Sequence, residues 1–174
     1  MPNDGRAARY DFRAVEEDDL PMLADWLSRP HNAEWWGDDA ELSVSEIREA
    51  MDSIETEPLI VELDGEPIAY LQSYDPHLED GHPYQDQPTG TIGLDISMGP
   101  AELLGKGHGS AIVARFAEML FEEGVPRVII DPDPVNARAI RAYEKAGFTA
   151  FDERHTIYGS VLMMRRDAPE ETDE

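Results

Sequence analysis

The chain begins with alternating polar and apolar positions and then changes to helical spacing. Residues Arg9 to Val15 alternate, which predicts a first β-strand. The apolar residues from Leu20 to Leu27 recur every three or four positions behind Asp18 or Asp19, either of which can cap a helix. A strand followed by an amphipathic helix is therefore the predicted start of the domain.

The next segments predict a loop, a second helix and a hairpin. The sequence H-N-A-E-W-W-G after Pro30 is predicted to be a loop, and Ser43 with Glu46 forms a capping box for a helix to about Ile54. Two apolar runs, Leu59 to Leu63 and Pro67 to Tyr74, flank the turn D-G-E-P and predict a β-hairpin.

A long polar segment separates this hairpin from the next strand. Asp75 to Gly90 contains prolines and shows no periodicity, so it is predicted to be a loop. Long loops inside compact domains tend to be functional. Thr91 to Met98 is then the fourth predicted strand.

Three closely spaced glycines follow this strand, within L-L-G-K-G-H-G-S from Leu103 to Ser110. The loop runs into an apolar-periodic helix, Ala111 to Phe121. Glycines let backbone N–H groups approach a ligand, and a helix start adds a positive dipole end, so the segment can cradle a phosphate or pyrophosphate. It lacks the P-loop register and lies too late for a first-strand dinucleotide fingerprint. Taken alone, the glycines could equally well just turn the chain into a helix.

A second motif follows in D-P-D-P-V-N-A-R-A-I-R-A-Y-E-K-A-G-F. Arg127 to Asp131 is a predicted buried strand, and the two prolines after it end that strand. Asn136 to Ala146 then has helical periodicity, with Gly147 as its C-terminal cap. Phe148 to Glu153 and Thr156 to Arg165 are the last two predicted strands.

Strand, loop, Asn, helix with a Tyr seven residues on, and terminal A-G-F resemble the C-terminal half of the GNAT acetyltransferases. The glycine loop resembles that family's pyrophosphate motif, [RQ]-x-x-G-x-[GA], with Leu104 at the first position. The resemblance implies an α/β (α+β) fold whose mixed, mostly antiparallel sheet of about seven strands is flanked by about four helices. It also implies acetyl-CoA as cosubstrate. We expect one domain over residues 9–166, a flexible N-terminus at 1–8 and a disordered acidic tail at 167–174.

The strongly negative charge of the chain argues against nucleic acid as a partner. The chain has 38 acidic and 14 basic residues, a net charge of −24, so nucleic acid would be repelled. A polycationic substrate or a surface adapted to high salt would each explain the acidity, and acids spread along the whole chain favour the surface. The chain has no long apolar run, no signal core and no cysteine, so we expect a cytoplasmic protein without membrane contact. Lys106, one of two lysines, lies in the glycine loop.

Two residues are candidates for acid–base chemistry. Asp95 lies in the otherwise apolar strand I-G-L-D-I-S-M, where an unused carboxylate would be costly. It could hold or deprotonate an ammonium group, or form a structural salt bridge. Tyr143 matches the GNAT tyrosine that protonates the departing CoA sulfur, although it could also be a core residue. A phenol with a pKa near 10 is a marginal acid for a thiolate, so its surroundings would have to help.

A closer resemblance is to the aminoglycoside 6'-N-acetyltransferases, over about residues 9 to 165. It is carried by R-P-H-N-A-E-W-W-G, G-E-P-I-A-Y-L-Q-S-Y, the G-L-D strand, L-G-K-G-H-G and the Asp131 to Phe148 segment. The resemblance implies Asp95 as base and Tyr143 as acid. It implies a substrate site of Trp35, Trp36, Tyr74, Asp80, Asp95 and Asp131. It implies a cofactor site of Ile96, Ser97, Met98, Leu104, Gly105, Lys106, Gly107, His108, Gly109, Ser110, Asn136, Ala139 and Tyr143.

Three alternatives remain at this point. Siderophore-pathway acyltransferases share parts of these motifs, but they are expected to have a catalytic histidine where this chain has Asp95. A non-catalytic acyl-CoA-binding module would not need Asp95 and Tyr143. His77 and His82 could suggest a metal site, but no further His or Cys lies near them in sequence, and we expect no metal. The sequence is compatible with a monomer or a homodimer.

Overall fold

A seven-stranded mixed sheet forms the centre of the computed structural model, which describes residues 9–36, 39–157 and 159–169. Its strand order is β1-β2-β3-β4-β5-β7-β6, and every neighbouring pair is antiparallel except β4 and β5. The predicted fold is therefore confirmed. The strands are β1 (Tyr10–Ala14), β2 (Thr56–Leu63), β3 (Glu66–Tyr74), β4 (Ile92–Met98), β5 (Arg127–Ile130), β6 (Thr149–Thr156) and β7 (Gly159–Asp167).

Helices cover both faces of the sheet. Within the described residues there are α1 (Leu20–Ser28), α2 (Pro30–Trp36), α3 (Ala40–Met51), α4 (His108–Glu122) and α5 (Ala137–Lys145), and two short 3-10 turns at Glu17–Asp19 and Ala101–Leu103. Side chains alternate across β2: Ile60 packs with α1 and α3, whereas Leu59 and Val61 pack with α4 and α5. Each fully buried aliphatic side chain contributes roughly 1.5–3 kcal/mol.

Two predictions in the N-terminal half are wrong. The segment H-N-A-E-W-W was predicted to be a loop but forms α2, because Asn32 donates hydrogen bonds to the Trp26 and Met98 carbonyls. The predicted cap at Ser43 is also wrong: α3 begins at Ala40, and the Asp39 side chain accepts from the Leu42 N–H at 3.0 Å. The Asn32 bond to Met98 is a tertiary contact that local periodicity does not contain, whereas the Asp39 cap is local and Asp39 is simply preferred to Ser43.

The ends of the domain differ slightly from the prediction. Asp167, predicted to start the disordered tail, is the last residue of β7, and its carboxylate accepts hydrogen bonds from Arg127. The predicted flexible segment at 1–8 and the tail from residue 170 lie outside the described residues. Among the helices that the structure describes, none has the length and apolar character needed to cross a membrane.

The site forms where β4 and β5 separate. Their parallel pairing runs from Ile92 with Val128 to Leu94 with Ile130 and stops there, because β5 ends. Beyond Leu94, β4 stays paired with β3 only. The next residues along the two strands are Asp95 and Asp131, so the sheet opens directly beside two carboxyl groups.

Candidate active site

One of two adjoining clefts lies over the glycine loop. It has a volume of about 630 Å³ and is lined by the end of β4, the glycine loop and α5. Gly105 and Gly107 have φ angles of 75° and 86°, which other residues adopt only at a cost, and Gly107 caps the start of α4. The backbone N–H groups at this helix start can therefore bind a phosphate, as the sequence predicted.

Every residue predicted to bind the cofactor lines this cleft except Lys106, which is exposed beside it. Three other cations line it instead: Arg138, Arg141 and Lys145, all on α5. Their spacing of three and four residues, which is visible in the sequence, places them on one face of the helix. The positive charge of this cleft thus comes from α5 rather than from the loop.

Helix α2 fixes the end of β4 against this cleft. His31 Nε2 and Asn32 Nδ2 donate to the Met98 carbonyl at 3.0 and 2.9 Å, and Ser97 Oγ donates to Asn32 Oδ1 at 2.6 Å. Asn136, predicted to serve both as cap and ligand, accepts from the Ala139 N–H and lines the cleft. The R-P-H-N motif therefore positions the backbone to which an acyl group would bind.

The second cleft, of about 520 Å³, lies on the other side of the opening in the sheet. Tyr143 lies between the two clefts and lines both, together with Trp35 and Ile96. The charge of the second cleft is opposite to that of the first, since the described residues that line the second cleft include no lysine or arginine. The carboxylates that line it are Glu46, Glu79, Asp95, Asp131 and Asp133.

Asp95 is held by a neutral hydrogen-bond donor. Gln72 lies directly opposite on β3, and its Nε2 donates to Asp95 Oδ2 at 2.9 Å. Gln72 is itself oriented by the buried Tyr70, whose hydroxyl donates to Gln72 Oε1 at 2.6 Å. Burial raises the pKa of Asp95, and the Gln72 hydrogen bond partly offsets this effect. A carboxylate with a raised pKa is a better base than a free aspartate.

Asp131 is held in a similar way from the long loop. The hydroxyl of Tyr84, whose ring is fully buried, donates to Asp131 Oδ2 at 2.5 Å. Burial and the charge of Asp95 raise the pKa of Asp131 to about 7, against the hydrogen bond from Tyr84, which lowers it. Neither Asp95 nor Asp131 has an ion-pair partner in the part of the chain that the structure describes. Two neighbouring carboxylates are thus kept without a protein cation.

Tyr143 stays protonated at neutral pH. Burial and the charges of Asp95 and Asp131 raise its pKa above the usual range for a phenol. These surroundings therefore do not assist proton donation, contrary to what the acid role requires. A cation bound between the two carboxylates would offset their repulsion of a Tyr143 phenolate and so lower the pKa of Tyr143.

The structure places the remaining predicted substrate residues as follows. Trp35 and Tyr74 line the second cleft, and the Tyr74 ring lies against Gly93, where an added Cβ would be 2.1 Å from the Tyr74 Cζ. Asp80 is exposed and does not line the cleft, whereas its neighbour Glu79 does. The side chain of Trp36 lies outside the described part of the chain.

The loop histidines form hydrogen bonds that organise the loop. His77 Nε2 donates to the carbonyls of Gln85 and Gln87, and His82 Nδ1 accepts from the Tyr84 N–H. Over residues 9–36, 39–157 and 159–169, no three His, Asp or Glu side chains are arranged to hold a metal ion. Four residues of the second cleft were not predicted. Glu46 lies on a polar helix face and Glu79 and Tyr84 lie in a loop, where periodicity gives no signal, and Gln72 is a polar residue of β3 whose pairing opposite Asp95 is visible only in the folded sheet.

Known proteins are similar to this chain over most of its length. Residues 15–156 match the family model described as Acetyltransferase (GNAT) domain. Aminoglycoside N(6')-acetyltransferase type 1 of Klebsiella pneumoniae is 41% identical over 148 residues, 79% of this chain and 72% of that protein. Lysine N-acyltransferase MbtK of Mycolicibacterium paratuberculosis is 27% identical over 164 residues, 92% of this chain and 74% of that protein.

A solved structure agrees with this grouping. The crystal structure of aminoglycoside acetyltransferase AAC(6')-Ib in complex with coenzyme A and kanamycin has a TM-score of 0.83 and 36% identity. The similarity covers 91% of this chain and 95% of that chain. With its glycine loop, divided sheet and two adjoining clefts, the chain belongs to the GNAT family of acetyltransferases and is related within it to the aminoglycoside N(6')-acetyltransferases.

Proposed function

We propose that the protein transfers an acetyl group from acetyl-CoA to the 6'-amine of an aminoglycoside. The observation that carries the proposal is the separation of charge between the two clefts. Arg138, Arg141 and Lys145 line the first, which suits the phosphates of CoA, whereas the described residues that line the second include carboxylates but no lysine or arginine. A polycationic amino sugar complements the second cleft. The 41% identity to an aminoglycoside acetyltransferase supports the same substrate class.

The two clefts meet where the chemistry requires it. Acetyl-CoA in the first cleft would bring its thioester to Ile96 and Tyr143, where β4 has lost its β5 neighbour and has backbone groups available. The acceptor amine would enter beside Asp95 from the second cleft. Holding both reactants at this junction makes the transfer effectively unimolecular.

The proposed reaction is direct attack. Asp95 takes one proton from the substrate ammonium, directly or through a water, and the amine nitrogen then forms a bond to the acetyl carbonyl carbon. The carbon–sulfur bond breaks, and Tyr143 supplies a proton to the departing CoA thiolate. The nitrogen loses its second proton as the amide forms, and this proton restores the Tyr143 phenol. Asp95 releases the first proton to solvent. Asp131 and the carboxylates Glu46 and Glu79 hold other ammonium groups of the drug. Trp35 and Tyr74 form apolar walls for its rings.

A thiol-release assay with acetyl-CoA tests this proposal. Kanamycin and tobramycin carry a 6'-amine and should be turned over, whereas a paromomycin-type drug with a 6'-hydroxyl should not be. The assay should be run from about 0.1 to 3 M KCl, because the strongly acidic surface makes activity sensitive to salt. If no 6'-amino drug is acetylated at any salt concentration, the proposal is wrong.

The main alternative is acylation of another small amine or hydroxylamine. Asp95 does not favour the siderophore-type enzymes, in which a histidine is expected at that position. A non-catalytic acyl-CoA-binding module is a weaker alternative, since Asp95 and Tyr143 lie at the junction of the clefts. We further propose that the enzyme acts in the cytoplasm, where acetyl-CoA is available. It needs no metal ion and is a monomer or a homodimer.

A further inference from the structure

Tyr84 belongs to the long loop between β3 and β4, yet its hydroxyl lies within the site. The ring is fully buried, and the hydroxyl donates to Asp131 Oδ2 at 2.5 Å. No motif in the sequence marks this residue. The contact joins a loop without regular structure to the end of β5, 47 positions along the chain.

The loop is built to hold this tyrosine. The Tyr84 N–H donates to His82 Nδ1, and the His82 ring stacks on Tyr74 with centroids 5.3 Å apart. On the other side, Arg154 of β6 lies over the Tyr84 ring at 5.8 Å. Arg154 also donates to both oxygens of Asp86, at 3.0 and 2.7 Å. The position of the hydroxyl is therefore determined by contacts on two sides.

A neutral donor suits a carboxylate that must bind a cation. An arginine in place of Tyr84 would neutralise Asp131 and compete with the substrate for it. A phenol lowers the cost of the buried charge and leaves that charge for the substrate. Away from the cleft, Asp19 and Asp86 are instead paired with arginines, Arg13 and Arg154. Asp95 has the same kind of neutral donor in Gln72.

We propose that Tyr84 is a positioning residue that orients the Asp131 carboxylate and favours its ionised form, which an ammonium group of the acceptor can bind. The amino-sugar part of this inference rests on the proposed function; the control of Asp131 does not. The other titratable groups around the same cleft must be considered with Asp131. Those that line it are Glu46 of α3, Glu79 and His82 of the loop, Asp95 of β4, Asp133 after β5 and Tyr143 of α5, and Arg154 of β6 lies over the Tyr84 ring.

The first test needs no substrate. In Tyr84→Phe the ring that His82 and Arg154 contact is kept and only the hydroxyl is lost. We expect Asp131 in this variant to bind its proton roughly tenfold more tightly than in the wild type, measured by carboxylate ¹³C NMR titration. An unchanged Asp131 titration in a folded variant would overturn the proposal.

Kinetics provide the second test. With kanamycin near pH 7, Tyr84→Phe should raise KM roughly tenfold, change kcat less than about threefold and move the acidic limb of kcat/KM to higher pH. In an Asp131→Asn background the same substitution should have little further effect, because the residue through which Tyr84 acts has lost its charge. An equal loss in both backgrounds would indicate a purely structural role and would contradict the proposal.

A double-mutant cycle of Tyr84→Phe and Asp131→Asn can also be measured by protein stability, which keeps the proposal testable if Tyr84→Phe is too poorly expressed for kinetics. Unfolding of the wild type, both single variants and the double variant should give a coupling between positions 84 and 131 that grows from pH 5 to pH 8, where Asp131 is ionised. A coupling that does not depend on pH would contradict the proposal. Failure of the wild type to acetylate any 6'-amino drug would instead contradict the proposed function and leave both the NMR and the stability result to decide on Tyr84.

Discussion

Replacing Asp131 by Asn should make the protein more stable at alkaline pH. The pKa of this carboxyl is raised to about 7 in the folded protein, against about 3.9 in an unfolded chain. A raised carboxyl pKa costs no stability below about pH 4, costs increasingly more between pH 4 and pH 7, and costs a constant amount above that. Asn removes the charge and can still accept a hydrogen bond from Tyr84.

The magnitude follows from the gap between the two pKa values. At about 1.36 kcal/mol per pKa unit the gap corresponds to about 4 kcal/mol. Asp95 shares the repulsion, and Asp131 lines the second cleft, so we expect Asp131→Asn to gain about 2 to 4 kcal/mol of stability at pH 8. At pH 4 the gain should be close to zero.

Urea unfolding at pH 4, 5, 6, 7 and 8 measures this difference. About 1 M KCl should be present, because the net charge of −24 makes removal of any acid favourable at low salt. Asp19→Asn is the matched control. Arg13 lowers the pKa of Asp19, so its contribution to stability is present above about pH 4 and lost below it. That variant should lose stability at pH 8.

The outcome can refute the reasoning clearly. If Asp131→Asn is no more stable relative to wild type at pH 8 than at pH 4, Asp131 does not carry a buried charge that the fold tolerates at a cost. The second cleft would then not hold two charged carboxylates ready for a substrate cation.

Further predictions concern the chemistry and the packing of the site. Asp95→Asn should lower turnover at least roughly tenfold, about 1.4 kcal/mol, with acetyl-CoA affinity unchanged by calorimetry; near-normal turnover would remove Asp95 from the mechanism. Tyr143→Phe should lower kcat roughly 10- to 100-fold in single-turnover measurements, and an unaffected chemical step would exclude it as the acid. Gly93→Ala should displace Tyr74 and destabilise the protein by about 1–3 kcal/mol in urea, whereas a variant of wild-type stability would contradict the close approach.

The sequence predicted the strands well, and the residues predicted for the cofactor lie together around one cleft except Lys106, because both features depend on local sequence. Strand periodicity, the glycines before α4 and the Asn136 cap are all readable from neighbours in the chain. Helix α2 was missed because its ordering depends on Asn32 and His31 reaching the Met98 carbonyl, a contact about 66 residues away. Local periodicity cannot predict such a bond between residues far apart in the chain.

The acceptor site was predicted only in part, for a related reason. Asp95 and Asp131 stand out because each follows or interrupts an apolar strand. Tyr84 and Glu79 lie in a segment without periodicity, so their placement is decided by the packing of the loop on β6 and β3. The substrate role of Asp80 stays a prediction: Asp80 is exposed and its neighbour Glu79 lines the cleft, in a loop whose register no local pattern fixes.

The most direct test of the central claim is the position of the new acetyl group. Kanamycin carries several amines, and the product formed with acetyl-CoA can be isolated and assigned by NMR and tandem mass spectrometry. We expect a single product acetylated on the 6' nitrogen, formed at least roughly tenfold more slowly with Asp95→Asn under the same conditions. Acetylation at a different amine, or no product with any 6'-amino drug, would contradict it.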